Sequence, residues 1–337
     1  MALDVKVKIE LSKTTTGSIG FGTPLLLGFV EESQMAVDYT EVSDLAGVVA
    51  AGIGENTAMY NAASLVFMQE NRPAKIAICT TASTTLSTTL STLLAQGKDF
   101  RQVVFVGTAT AGVADALAAI EADGKRMAFV TTTFDNLDDV ATTTIATYDR
   151  TVVFVSETAD AAAALVGETA GRAAGSFTYK FKTLKGVAAD NYTDAQLEVI
   201  HGKNAIAYVT KAGDDVTTEG TAMSGKYIDI TDSIDYVIQN IEYRIQKVFN
   251  TTAKVPYTDS GIALLEAATT YALQDAFNNG IIATKEGGTT PDYSVSFAAR
   301  SATTEADRES RVYKYGSFAF TLAGAIHECH VYGEVTY

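Results

Sequence analysis

A few groups of residues in this chain have types and spacings that could support chemistry. Gly107-Thr108-Ala109-Thr110-Ala111-Gly112 lies between an apolar strand-like run and a helix-like run, where a phosphate loop would sit. Such a loop needs Lys and Ser/Thr after its last glycine to reach phosphate and magnesium. Here Val113-Ala114 follow, so the spacing reads as an ordinary strand-to-helix turn. Gly17, Gly20 and Gly22 do not fit the dinucleotide fingerprint and lead into Thr23-Pro24 instead of a helix. His327-Glu328-Cys329-His330 holds potential metal ligands, but in a strand His327 and Cys329 face one way and Glu328 and His330 the other. A closed zinc site would have to recruit Cys79 or His201, the only other Cys and His. The acidic pairs Asp138-Asp139 and Asp214-Asp215 fall in polar turns or first helical turns, where carboxylates are common. No Ser, Cys or Lys has a partner at the spacing of a known nucleophile motif. The residues indicate neither catalysis nor a cofactor or metal.

Composition narrows the function classes further. The chain has 337 residues, enough for two domains, and 47% of them are apolar. With 25 basic and 40 acidic side chains the formal charge is −15. That balance opposes nucleic-acid binding, which depends on Lys and Arg displacing counterions, and it makes identical copies repel at low salt. Cys79 and Cys329 lie far apart and form no disulfide framework, so two buried thiols in a reducing compartment are expected. The N-terminus has no secretory pattern, and no stretch nears the roughly 18 apolar residues of a membrane span. Synthesis in the cytosol without direct membrane insertion is the expectation.

The elements that must position these residues follow from periodicity. Leu3, Val5, Val7, Ile9 and Leu11 alternate with polar residues, as in a half-buried strand. From residue 24 to residue 170 strand-like runs (PLLLGFV, AKIAICT, RQVVFVG, KRMAFVTTT, RTVVFVS) alternate with helix-like ones, including a Thr-rich helix over 81–92 and a weaker one over 136–146. This beat predicts a parallel or mixed sheet with helical cover. After Gly175 the rhythm changes: FTYKFKTL alternates like an edge strand, a short helix follows over 190–202, and GKNAIAYVT is strand-like. Two amphipathic helices come next. The first carries a stripe of Ile234, Val237, Ile238, Ile241, Ile245, Val248 and Phe249, with Asp232 as its expected cap and Asp235 in its first turn. Asp259 or Ser260 should cap the second, which stops at Asn278-Asn279-Gly280. The chain ends in β-patterned residues. The predicted fold class is α/β plus α+β: a central strand–helix alternating sheet domain over 21–175, an α+β domain over 176–324, and strand-like arms over 1–20 and 325–337. A flavodoxin-like α/β nucleotide-binding enzyme of unknown substrate is the alternative that this rhythm permits.

Three stretches carry a family likeness: residues 20–78, the helix–link–helix segment GKYIDITDSIDYVIQNIEYRIQKVF…KVPYTDSGIALLEAA, and the tail EADRESRVYKYGSFAFTLAGAIHECHVYGEV. In these the chain resembles the sheath proteins of contractile phage tails and related injection particles, in a short, minimal form. The resemblance implies a structural subunit that polymerises helically around a tail tube and shortens to drive the tube through a target envelope. It implies baseplate and tail terminator partners, and a place in a virion tail or phage-tail-like particle assembled in the bacterial cytoplasm. It further implies that terminal arms add strands to neighbouring subunits, here through Val5, Val7, Ile9 and Leu11 at one end and Cys329, Val331, Val335 and Tyr337 at the other. Gly17, Gly20 and Gly22 would serve as the hinge. Alternation alone does not separate such exchange from pairing within one subunit.

Overall fold

Short runs of Val, Ile, Leu and Phe, too brief for helices and bounded by turn residues, build the central sheet. The structure is a computed structural model that describes residues 22–29, 36–107 and 112–332. Strands β1 (Leu25–Phe29), β2 (Thr40–Val42), β3 (Ile76–Thr81), β4 (Gln102–Val106), β5 (Met127–Thr132), β6 (Thr151–Val155), β7 (Ile206–Lys211) and β8 (Asp214–Thr217) form one sheet in the order β2-β3-β1-β4-β5-β6-β7-β8. The six inner strands are parallel, and β2 and β8 close the edges antiparallel. This is the mixed, helix-covered sheet expected from the strand–helix beat. It extends past residue 175, because β7 and β8 belong to it.

Both faces are covered, so the inner strands are apolar on both sides. Leu26, Ile78, Val104, Phe129 and Phe154 face α1 (Leu45–Ala50), α2 (Ala58–Phe67) and α6 (Ala161–Ala170). Leu27, Cys79, Phe105, Val130 and Val153 face α3 (Leu86–Ala95), α4 (Val113–Asp123) and α7 (Asp194–Gly202). The Thr-rich α3 is a poor helix former by propensity; Leu86, Leu90 and Leu93 hold it to the sheet. The weaker helix expected over 136–146 is only one turn, α5 (Leu137–Val140), followed by a 3₁₀ turn. All ten residues of α6 are buried, since it lies between the sheet and α2. At Gly167 a Cβ would sit 2.7 Å from the Val66 Cα and 2.8 Å from its carbonyl oxygen. Gly167→Ala is therefore expected to destabilise the subunit by about 1–3 kcal/mol. Urea unfolding should show a lower midpoint at unchanged slope.

A second layer follows the sheet. Helices α8 (Ile228–Thr251) and α9 (Asp259–Asn278) pack together through Val237, Ile241, Ala272, Leu273 and Ala276. Strands β9 (Tyr293–Phe297) and β10 (Gly316–Phe320) pair antiparallel and lay Tyr293, Val295, Phe318 and Phe320 on this core. Their connection contains α10 (Glu305–Glu309), capped by Thr304. Lys314 pairs with Asp307 at 2.9 Å, and hydrogen bonds from Thr304, Tyr315 and Lys314 hold that carboxyl well below its usual range.

Several expectations are corrected here. FTYKFKTL is not a strand, because Phe181 turns left-handed at φ +63° and breaks the alternation. Asp214-Asp215 lie in β8, reached through a tight hairpin with positive φ at Ala212 and Gly213. Helix α8 starts at Ile228, four residues before Asp232, so Asp232 does not cap it. Thr258, not Asp259 or Ser260, caps α9; Asp259 instead accepts the Arg300 N–H at 2.7 Å. The stripe on α8 is buried at Val237 and Ile241 but opens toward the helix end, leaving Phe249 exposed. Cys79 is buried as expected, whereas Cys329 is exposed.

Candidate functional site

Three parallel strands are each preceded by an arginine, in Arg101-Gln102, Arg126-Met127 and Arg150-Thr151. The parallel register brings these arginines to one end of the sheet, where α8 crosses. Asp232 and Asp235, three residues apart on α8, meet two of them. The Arg101 guanidinium, 1% exposed, pairs with Asp232 and lies 2.8 Å from Asp235. Arg150 grips Asp235 with two bonds of 2.7 and 2.9 Å, and the Tyr179 hydroxyl donates to Asp232 at 2.7 Å. Burial opposes the charge on Arg101, but Asp235 and Asp232 outweigh it and raise its pKa. Burial, with Asp232 beside it, likewise keeps the Tyr179 hydroxyl protonated. Arg126 serves the sheet itself, bonding Asp123 at 3.0 Å and lying over the Phe100 ring. The network fastens the second layer to the sheet, and it contains no group placed to react.

The places where chemistry could have resided have structural occupants. Gly107 donates its N–H to Asp160 Oδ1 at 2.8 Å. Asp160 is a buried residue in a left-handed conformation at the start of α6, and burial raises its carboxyl pKa while the Gly107 N–H acts against it. A carboxylate thus holds the first amide of the turn that a phosphate would need. Residues 108–111 lie outside the described residues. Among the described residues no three of His, Cys, Asp and Glu converge so as to hold a metal ion. His327 bonds Thr178 at 2.8 Å, while His330 and Glu328 pair at the surface.

The expected assembly residues are placed unevenly. Val5, Val7, Ile9, Leu11, Gly17, Gly20, Val335 and Tyr337 lie outside the described residues. Gly22 has φ +103°, and a Cβ there would come 3.0 Å from the Ala170 carbonyl, so glycine is required on both counts. Cys329 and Val331 are exposed, in a segment without regular structure inside the subunit. Among the described residues, β9 and β10 pair only with each other. No helix is long and apolar enough to cross a membrane, again among the described residues.

Comparison with known proteins places this geometry. Residues 228–335 match the family model of the E217 tail sheath protein gp31-like C-terminal domain, beginning at the first residue of α8. Among solved structures, a chain of the anti-feeding prophage baseplate shares the fold with a TM-score of 0.75 at 12% identity, over 99% of this chain and 98% of that one. The contracted helical sheath of the anti-feeding prophage gives 0.67 at 13% identity, over 98% of each chain. The contracted PVC sheath complex of an extracellular contractile injection system gives 0.69 at 12% identity, over 97% and 96%. A search of curated proteins by sequence finds no match. The chain shares the fold of contractile-sheath structures along nearly its whole length, and its residues 228–335 match the tail sheath C-terminal domain model.

Proposed function

We propose that the chain is the structural subunit of a contractile sheath, polymerising as a helix around a tail tube and shortening to drive the tube through a target envelope. The observation that carries this is the match to contracted-state sheath subunits over 96–98% of both chains, with no large insertion on either side. Sheet and second layer, joined by buried ion pairs, would move as one body, with arms over 1–20 and 325–337 linking it to neighbours. Baseplate, tube and terminator proteins would be its partners, in a phage tail or phage-tail-like particle assembled in the host cytoplasm. Energy for shortening would come from two alternative lattice packings, with no catalytic step.

Assembly is the direct test. A chain of formal charge −15 repels its copies, and salt screens that repulsion. Concentrated protein should give rings or tubes in negative-stain electron microscopy, at a lower onset concentration as salt rises. Single subunits at every salt and concentration would count against a sheath. The nucleotide-enzyme alternative is opposed by the Asp160 carboxylate at Gly107. A saturable thermal shift with any member of a nucleotide panel would revive it.

A further inference from the structure

After β10 the chain makes one bridge, Leu322 with Ile282, and then continues without secondary structure to residue 332. From residue 323 to residue 332 every side chain is exposed except His327. Apolar Ile326, Val331 and Tyr332 are 87%, 87% and 92% exposed, so nothing among the described residues covers them. Ala323 donates its N–H to the Ile281 carbonyl at 2.9 Å, and beyond it His327 is the one anchor among the described residues. Its Nε2 lies 2.8 Å from Thr178 Oγ1, and its ring meets those of Tyr227 and Phe181 edge to face, at 4.9 and 6.3 Å between centroids.

The seat under His327 is built. Phe181 takes the left-handed conformation that side chains rarely adopt, φ +63°. The Phe181 N–H bonds the Thr217 carbonyl at 3.0 Å, and the next N–H, of Lys182, bonds Thr217 Oγ1 at 2.8 Å. This turn presents the Phe181 ring opposite Tyr227, which stands at the entrance to α8. Beside the seat runs a groove of about 380 Å³ lined by Arg172, Lys182, Asp229, Leu322 and Ala325. Burial raises the pKa of the Asp229 carboxyl there, and the Ile230 N–H, bonded at 2.9 Å, acts against it.

We propose that Thr178, Phe181 and Tyr227 form a latch that holds the segment 323–332 on its own subunit through His327, a stored position it must leave before it can engage another copy. The second half of this proposal rests on the sheath function. Past Ala323 the strap is held at His327 alone among the described residues, and with its apolar side chains uncovered it is bound weakly enough to be released. One hydrogen bond and two ring contacts shift a closed-to-open ratio by about ten- to a hundredfold.

Cys329, exposed and two residues from His327, reports on the latch, while Cys79 is buried and should not react. A nitroxide on Cys329 of the unassembled full-length chain should show an immobilised spectral component by electron paramagnetic resonance. His327→Ala should lower the immobilised-to-mobile ratio at least tenfold, and Thr178→Val, which removes the hydrogen bond but leaves both ring contacts, about two- to tenfold. His327→Gln, which reaches the same hydroxyl without the ring, should fall between. Equal spectra for wild type and both variants overturn the latch, whether or not tubes form. If the ratio falls, the released variants should begin light-scattering assembly correspondingly sooner. An unchanged onset overturns the restraint on assembly. A fallen ratio with no polymer from any variant supports the latch and sinks the sheath function instead.

Discussion

Replacing Arg101 by alanine is expected to lower the unfolding free energy by about 3–5 kcal/mol, the cost of removing one partner of a buried ion pair. Arg101 is 1% exposed and faces Asp232 and Asp235 together. Without it, Asp232 keeps the hydrogen bond from the Tyr179 hydroxyl, while Asp235 keeps both bonds from Arg150. The main loss therefore falls on Asp232, a carboxylate too buried to recover its hydration. Arg150→Ala should cost less, because Asp235 retains Arg101 and Arg150 itself is partly exposed. Arg101→Met combined with Asp232→Leu should recover a large part of the single-variant loss, since a buried pair replaced by apolar groups is often nearly neutral. Guanidinium denaturation of the unassembled subunit measures all three. A double variant as unstable as the sum of its singles would show that packing, not charge pairing, joins the layers.

This network marks where the sequence was legible and where it was not. Strands β3 to β6 are legible because each carries an apolar run long enough for a buried strand and too short for a helix. The α8–α9 pair was found from its three-and-four spacing. Asp232 was misassigned as a cap because a carboxylate before a helical stripe is a local signal, while its partner Arg101 stands 131 residues away. One clue was present: an arginine directly before each of three apolar strands, with two acids three residues apart on an amphipathic helix. Alternation misled in FTYKFKTL, where Tyr179 turns inward to reach Asp232 and Phe181 turns left-handed. Cys329 and Val331 follow a β pattern without a strand inside the subunit, because such a pattern becomes a strand only where a partner edge exists, and β9 is engaged by β10. The seat of His327 was invisible for the same reason as the ion pairs. Thr178, Phe181 and Tyr227 converge on it only through the fold.

Deleting residues 1–12 is expected to leave a folded, soluble subunit that forms no long tubes. The deleted residues lie outside the described structure, and among the described residues the three buried cores draw on Leu25 and residues after it. Melting temperature should therefore change little. Assembly should fail because of how an exchanged arm is held. Ordering extended backbone costs about 1–2 kcal/mol per residue. Each inter-strand hydrogen bond returns only about 0.5–1.5 kcal/mol net. Hydrogen bonds alone cannot hold such an arm; burial of Leu3, Val5, Val7, Ile9 and Leu11, at about 1.5–3 kcal/mol each, must supply the balance. That places the effect on one face of the arm. Val7→Asp with Ile9→Asp should reproduce the deletion, while Lys6→Ser with Lys8→Ser, on the other face, should assemble nearly as wild type. Tubes of normal length from the deletion would remove the N-terminal arm from the lattice. Loss of tubes from both pairs alike would mean that the arm acts by charge and not by its apolar face.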